Sequence, residues 1–223
     1  MRFPLVLATL SLAWPVMAVA GEHADRLNES ATTLKEIMQA EDKGIPRDLL
    51  QKASCAIVVP GVKKGAFIVG GKYGRGFASC RREGGWSAPA GVRVEGGSVG
   101  FQIGGSETDV IMLVMSQRGM DRLLSTKFTL GGDASVAGGP VGRSTTAQTD
   151  AGMRADILSW SRARGVFAGI ALDGATLRPD EDANEELYGN KALSNKEILS
   201  GSVKAPAAGA ELIGLLAKYG AKS

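Results

Sequence analysis

Five cations stand at or beside glycine-rich turns in this chain. Lys63 and Lys64 follow CAIVVP, Lys72 and Arg75 flank the next turn, and Arg143 closes GGPVGR. Backbone N–H groups exposed at such turns combine with lysine or arginine into concavities that suit phosphate oxygens. The competing reading is ordinary hairpin turns whose lysines keep sheet edges soluble, and on these residues alone it is the stronger of the two. Groups for covalent or acid–base chemistry are scarce. His23 is the one histidine, in an N-terminal stretch expected to fray, so serine–histidine, cysteine–histidine and histidine–zinc schemes lack a partner. Gly96-Gly97-Ser98-Val99-Gly100 matches a nucleophile elbow, but that motif needs a helix after it, and here an alternating strand pattern follows. Asp180, Asp182 and Asn184 are spaced like the first ligands of a calcium loop. Glu185 and Lys191 then occupy the positions that require glycine and glutamate, so a charged helix start is expected. Gly74-Arg75-Gly76 runs on to Ser79 without the third glycine of a dinucleotide fingerprint. The reading is a protein without catalytic activity, cofactor, metal or nucleic-acid partner.

The elements that must position the cations follow from periodicity. Fourteen glycines lie between Gly61 and Gly105, among short apolar runs. In Val99–Gly104 the period is two, with Val99, Phe101 and Ile103 on one face and Gly100, Gln102 and Gly104 on the other. Such strands bury one face and bare the backbone on the other, which argues for a bent, partly closed β core. Residues 24–43 read as an amphipathic helix and 47–53 as a short second one. CAIVVP, AFIVGGKY, GRGFASCRR, WSAPAGVRVE, SVGFQIGG and TDVIMLVMS are strand candidates, and Gln117–Leu124 reads as a helical break. KFTLGGDASVAG, ADILSWSRA, GVFAGIALDG and ATLRP resume the strands, and Asp180–Tyr188, Asn195–Leu199 and Ala210–Tyr219 are helical. The expectation is an α+β fold: a curved, largely antiparallel, barrel-like sheet covered by N- and C-terminal helices. One domain is expected over 21–223, with a helical part at 21–53, a β core at 54–178 and C-terminal helices at 179–223.

Residues 1–20, MRFPLVLATLSLAWPVMAVA, have the early charge, apolar run and A-x-A end of a secretory leader, with cleavage expected after Ala20. That predicts an exported protein, periplasmic or secreted. Charge is uneven. Residues 21–43 carry three basic against six acidic side chains, 44–164 sixteen against nine, and 165–223 six against eight. A basic middle suits an anionic partner, or is an ordinary solvated surface. Cys55 and Cys80 are the two cysteines. A single disulfide is open to them in an oxidising compartment, but nothing in the sequence brings their β-carbons together, so separate buried thiols are the preferred reading.

Four segments carry a family resemblance: AIVVPGVKKGAFIVGGKYGRGFASCRREGGWSAPAGV, GGSVGFQIGGSETDVIMLV, FTLGGDASVAGGPVGR and SWSRARGVFAGIALDGATLRPDEDANEELYG. Across about residues 45–202 they resemble the SYLF domain family, which covers phosphoinositide-binding and actin-patch proteins of eukaryotes and exported bacterial proteins. The resemblance implies non-catalytic phospholipid binding. With it, Lys63, Lys64, Lys72, Arg75 and Arg143 become the candidate headgroup contacts, and apolar side chains of the N-terminal helix candidate additional ones. The alternative is a structural or protein-interaction module of the cell envelope. The N-terminal helix is acidic on its polar face, which weakens its attraction to anionic lipid. An exported chain of bacterial type would not meet actin, and the expectation is that actin is not its partner.

Overall fold

The run Cys55–Ala66 (β1) explains how the sheet is built. Cys55, Ile57 and Val59 are buried in one apolar cluster, and Ala56 and Val58 in another on the opposite face. A strand covered on both faces reads as an unbroken apolar run, which is why CAIVVP shows no polar alternation. The computed structural model describes residues 21–40, 44–66, 69–99, 106–141, 154–163, 166–170 and 172–221. The expected leader, Phe101-Gln102-Ile103-Gly104 and Arg143 lie outside them.

Helices α1 (Glu22–Gln39) and α2 (Arg47–Lys52) precede β1. Then come β2 (Val69–Arg82), β3 (Gly85–Trp86), β4 (Ala90–Val99) and β5 (Ser106–Val114). Helix α3 (Gln117–Leu123) interrupts before β6 (Phe128–Thr129), β7 (Val136–Gly138), β8 (Ile157–Ala163), β9 (Val166–Gly169) and β10 (Thr176–Pro179). Helices α4 (Glu181–Tyr188), α5 (Asn195–Leu199) and α6 (Ala210–Gly220) follow. The sheet order is β6-β10-β4-β2-β1-β5-β8-β7, with β3 on β2 and β9 on β8. The pairings are antiparallel except β7 with β8.

That order forces curvature. β6 and β7 end the path, yet only residues 130–135 separate them in the chain. A link of that length spans at most ~25 Å, whereas eight flat strands would hold their edges ~34 Å apart. Leu130 bridges Ala134, and the Gly131 N–H donates to the Ala134 carbonyl at 2.7 Å. The sheet curls into a half-barrel, and the α+β expectation holds.

Two cores result. Ile57, Val59, Val62, Ala78, Val92, Val94 and Met112 fill the concave side. Phe77, Ile111, Leu113 and Trp160 pack outward against Leu27, Leu34 and Ile37 of α1 and Leu212 and Leu216 of α6. Gly76 faces inward where space is tight: a β-carbon there would sit 2.1 Å from the Val58 carbonyl oxygen. A bulge at Pro60-Gly61 shifts the β1 register, with Gly61 at φ 59°, a conformation that glycine adopts without steric cost.

Three expectations change. The apolar stripe of α1 is committed to the outer core, with Leu27, Ala31 and Leu34 fully buried, so it has no side chains to offer a lipid. His23 does not fray: α1 starts at Glu22, and the imidazole is buried with Nε2 3.6 Å from Glu186 Oε2. Cys55 and Cys80 are not separate thiols. They are direct partners across β1 and β2 and form a disulfide, with α-carbons 4.0 Å apart.

Candidate functional site

Past the bulge, β1 and β2 continue beyond the packed core to a mouth at the end of the half-barrel. Side chains alternate faces along a strand, and β2 pairs with β4 without a register break from Val69 to Ala78. Ala78 and Cys80 belong to the inner core, so Gly76, Gly74 and Lys72 share their inward face, while Phe77, Arg75 and Tyr73 face outward. The inner apolar lining ends at Val62 and Val94. The next rung reads Gly96, Lys72, Lys64, Ser106 across β4, β2, β1 and β5. Beyond it lie Gly97 opposite Gly71 opposite Gly65, then Ser98 opposite Gly70 opposite Ala66.

The register makes Lys72 and Lys64 cross-strand partners, and like charges at such positions destabilise a sheet unless a counter-charge intervenes. Their neighbours on the rung are a glycine and a serine rather than carboxylates. Neither Lys72 nor Lys63 has an ion-pair partner among the described residues. The rows of glycine remove side-chain bulk, so a flat polar group can approach the backbone beside Lys72.

Arg143 lies outside the described residues, and the other four candidate cations do not form one cluster. Lys64 and Lys72 share the rung. Lys63 lies on the outer face opposite Tyr73 and Glu107, in a groove of 440 Å³ with Glu22, Arg26, Glu29 and Arg75. Its surroundings are of mixed charge. Arg75 is bound to protein: Nε and Nη2 donate to the Asp180 carboxylate at 2.5 and 2.7 Å. Asp180, 1% exposed, also accepts from the Ala183 N–H at the start of α4 and lies 3.5 Å from Arg93 Nε. Burial opposes the charge on Asp180, but the Arg75 hydrogen bonds and the charges of Arg75 and Arg93 outweigh it and hold the carboxyl below the usual range. The hydrogen bond to Asp180 raises the Arg75 guanidinium above its ordinary value.

Two sequence motifs resolve the same way. Asp180 of the calcium-like spacing is the α4 cap, as expected of a charged helix start. Ser98 lies within β4 rather than at a strand-to-helix elbow. Sequence reasoning missed Tyr73, 45% exposed beside Lys63. The alternation Lys72-Tyr73-Gly74-Arg75 could have flagged it as an outward aromatic.

The profile of the Ysc84 family, described as Las17-binding protein actin regulator, matches residues 95–219. The chain belongs to the Ysc84 family. This agrees with the SYLF resemblance. An SH3 domain-containing protein of Schizosaccharomyces pombe is 38% identical over 74% of this chain and 39% of its own length. LAS seventeen-binding protein 3 of Saccharomyces cerevisiae is 33% identical over 75% of this chain and 37% of its own. SH3 domain-containing YSC84-like protein 1 of Xenopus laevis is 32% identical over 80% of this chain and 53% of its own. The chain therefore spans about half or less of these relatives. One of these names denotes a binding protein, the other two an SH3 domain, and none names an enzyme. The expectation that set actin aside is overturned, because the family is described by actin regulation and Las17 binding.

Proposed function

We propose that this chain is a non-catalytic module that binds anionic phospholipid headgroups at the mouth of the half-barrel, in the cell envelope if residues 1–20 act as a leader. Lys64 and Lys72 contact phosphate oxygens, glycine rows on β1, β2 and β4 admit the headgroup, and Tyr73 and Lys63 form the outer rim. The observation that carries this reading is the Lys64–Lys72 rung, bounded by Gly96 and Ser106 instead of carboxylates. Tyrosine supports it, being amphipathic and suited to a membrane interface. Each lysine near an anionic surface is worth about 1 kcal/mol, so removing two weakens binding roughly thirtyfold. Among the described residues no helix is long and apolar enough to cross a membrane. The test is co-sedimentation with anionic and zwitterionic vesicles. Wild type should pellet with the anionic vesicles, less so at high salt, and Lys64→Glu/Lys72→Glu should not. Equal pelleting of both proteins, or none by wild type, would sink the reading.

The relatives' names favour a second reading, docking of an actin-regulatory protein. The mixed-charge groove between α1 and Lys63 offers a surface for it. Filament co-sedimentation that survives Lys64→Glu/Lys72→Glu but is lost with Glu29→Lys or Lys63→Glu would support this reading over the first.

A further inference from the structure

At the opposite end of β1 from the mouth lies a second basic cleft. It has a volume of 770 Å³, and Gln51, Lys52, Ser54, Arg81, Arg82 and Gln117 line it. Among the described residues no carboxylate belongs to the lining, although Lys52 Nζ lies 3.5 Å from Asp48 Oδ2 at the exposed rim. Arg81 is fixed at three points: Nη2 donates to the Leu50 carbonyl at 3.0 Å, Nε to the Ala53 carbonyl at 3.3 Å, and the guanidinium stacks 4.6 Å over the Trp86 ring. Arg82 donates from Nε to the Leu199 carbonyl at 2.6 Å. Gly201, at φ 90°, lets the chain pass close to the Arg82 stem, where a β-carbon would lie 3.0 Å from Cγ.

Neither arginine has a carboxylate partner among the described residues. A guanidinium carries five N–H donors, and these carbonyl bonds leave most of them free. Burial lowers the Arg81 pKa with nothing to offset it, so the fold bears the cost of desolvating this cation. Two oriented guanidinium forks and one lysine suit an oxyanion with two negative charges better than a single carboxylate. The volume exceeds what a bare phosphate fills, and Met120 gives one wall apolar character.

We propose that this cleft binds a phosphomonoester dianion, with Arg81 and Arg82 holding the phosphate oxygens and Lys52, Gln51, Ser54 and Gln117 contacting the rest. The site is separate from the mouth and does not depend on it. The dianion could belong to a soluble metabolite or to a lipid headgroup.

Calorimetric titration of the whole protein with glycerol 3-phosphate tests the site. With Lys64→Glu/Lys72→Glu as the background, so that the mouth contributes nothing, saturable binding is expected, at least tenfold weaker once Arg82→Gln is added and weaker once Lys52→Gln is added. Lys52 is exposed, so its variant decides the matter if Arg82→Gln fails to fold. Vesicles of phosphatidic acid, tested on Lys64→Glu/Lys72→Glu, separate the sources. Pelleting that Arg82→Gln abolishes points to lipid, and glycerol 3-phosphate binding without pelleting points to a soluble ligand. No saturable binding of either probe, or binding that Arg82→Gln and Lys52→Gln leave intact, overturns the proposal.

Discussion

Replacing Arg75 by alanine should destabilise the fold without abolishing headgroup binding by the protein that remains folded. The Arg75 side chain is 17% exposed and that of Asp180 is 1% exposed. Removing the arginine strands a buried carboxylate that caps α4, with Arg93 3.5 Å away as its remaining cation. Breaking a buried pair of this kind costs about 3–5 kcal/mol. At 2–4 °C per kcal/mol for a chain of this size, Tm should fall by roughly 6–20 °C. Asp180→Ala should cost a similar amount, and Arg75→Ala/Asp180→Ala less than the two combined, since neither charge is then left alone. The effect should depend on pH. The folded Asp180 pKa is depressed below its unfolded value of about 3.9. Its contribution is therefore complete above that value and is lost as pH falls through the folded pKa. The stability gap between wild type and Asp180→Asn should narrow below about pH 4. Thermal melts across pH 2–7 would measure it. A loss under ~1 kcal/mol at neutral pH, or a gap that widens in acid, would refute the assignment of Arg75 to the fold.

Reducing the Cys55–Cys80 disulfide frees a loop with sequence separation 25, for which chain entropy gives about 3.5 kcal/mol; denaturant melts with and without reductant should differ by 2–4 kcal/mol. Gly76→Ala presses a β-carbon to 2.1 Å from the Val58 carbonyl and 2.6 Å from the Val59 α-carbon, main-chain atoms that cannot rotate aside, and should cost about 1–3 kcal/mol or more. Lys72→Ser removes a like-charge neighbour of Lys64, so stability should hold or rise by up to ~0.5 kcal/mol while vesicle binding weakens. Ser194→Ala deletes the capping box of α5 with Glu197 and should lower stability by about 1 kcal/mol.

Much of the fold was legible because its elements repeat strictly. The apolar run of β5 and the three C-terminal helices follow from periodicity, whereas β1 and β4 read short and β2 reads as split at Gly74, because glycine inside a strand reads as a turn. The cysteine pairing was hidden by register. Cys55 and Cys80 meet only because the β1–β2 connection falls between Ala66 and Val69, a position that a glycine-rich run does not reveal. Arg75 misled for a related reason. Nothing local distinguishes it from Lys72, and its partner Asp180 is 105 residues away. Alternation also decides that Lys72 faces the mouth while Lys63 lies against α1, because the bulge at Pro60-Gly61 reverses the parity of β1. The apolar face of α1 could serve either lipid or core; burial against Phe77 and α6 settles it as core.

Spin-labelled anionic lipid in bicelles would locate the bound surface most directly, through broadening of backbone amide signals. Amides of Lys63–Ala66, Val69–Lys72 and Gly96–Val99 should broaden while those around Asp180 and α6 stay sharp. Broadening spread evenly over the molecule, or centred on α1, would contradict the lysine rung as the place where headgroups bind.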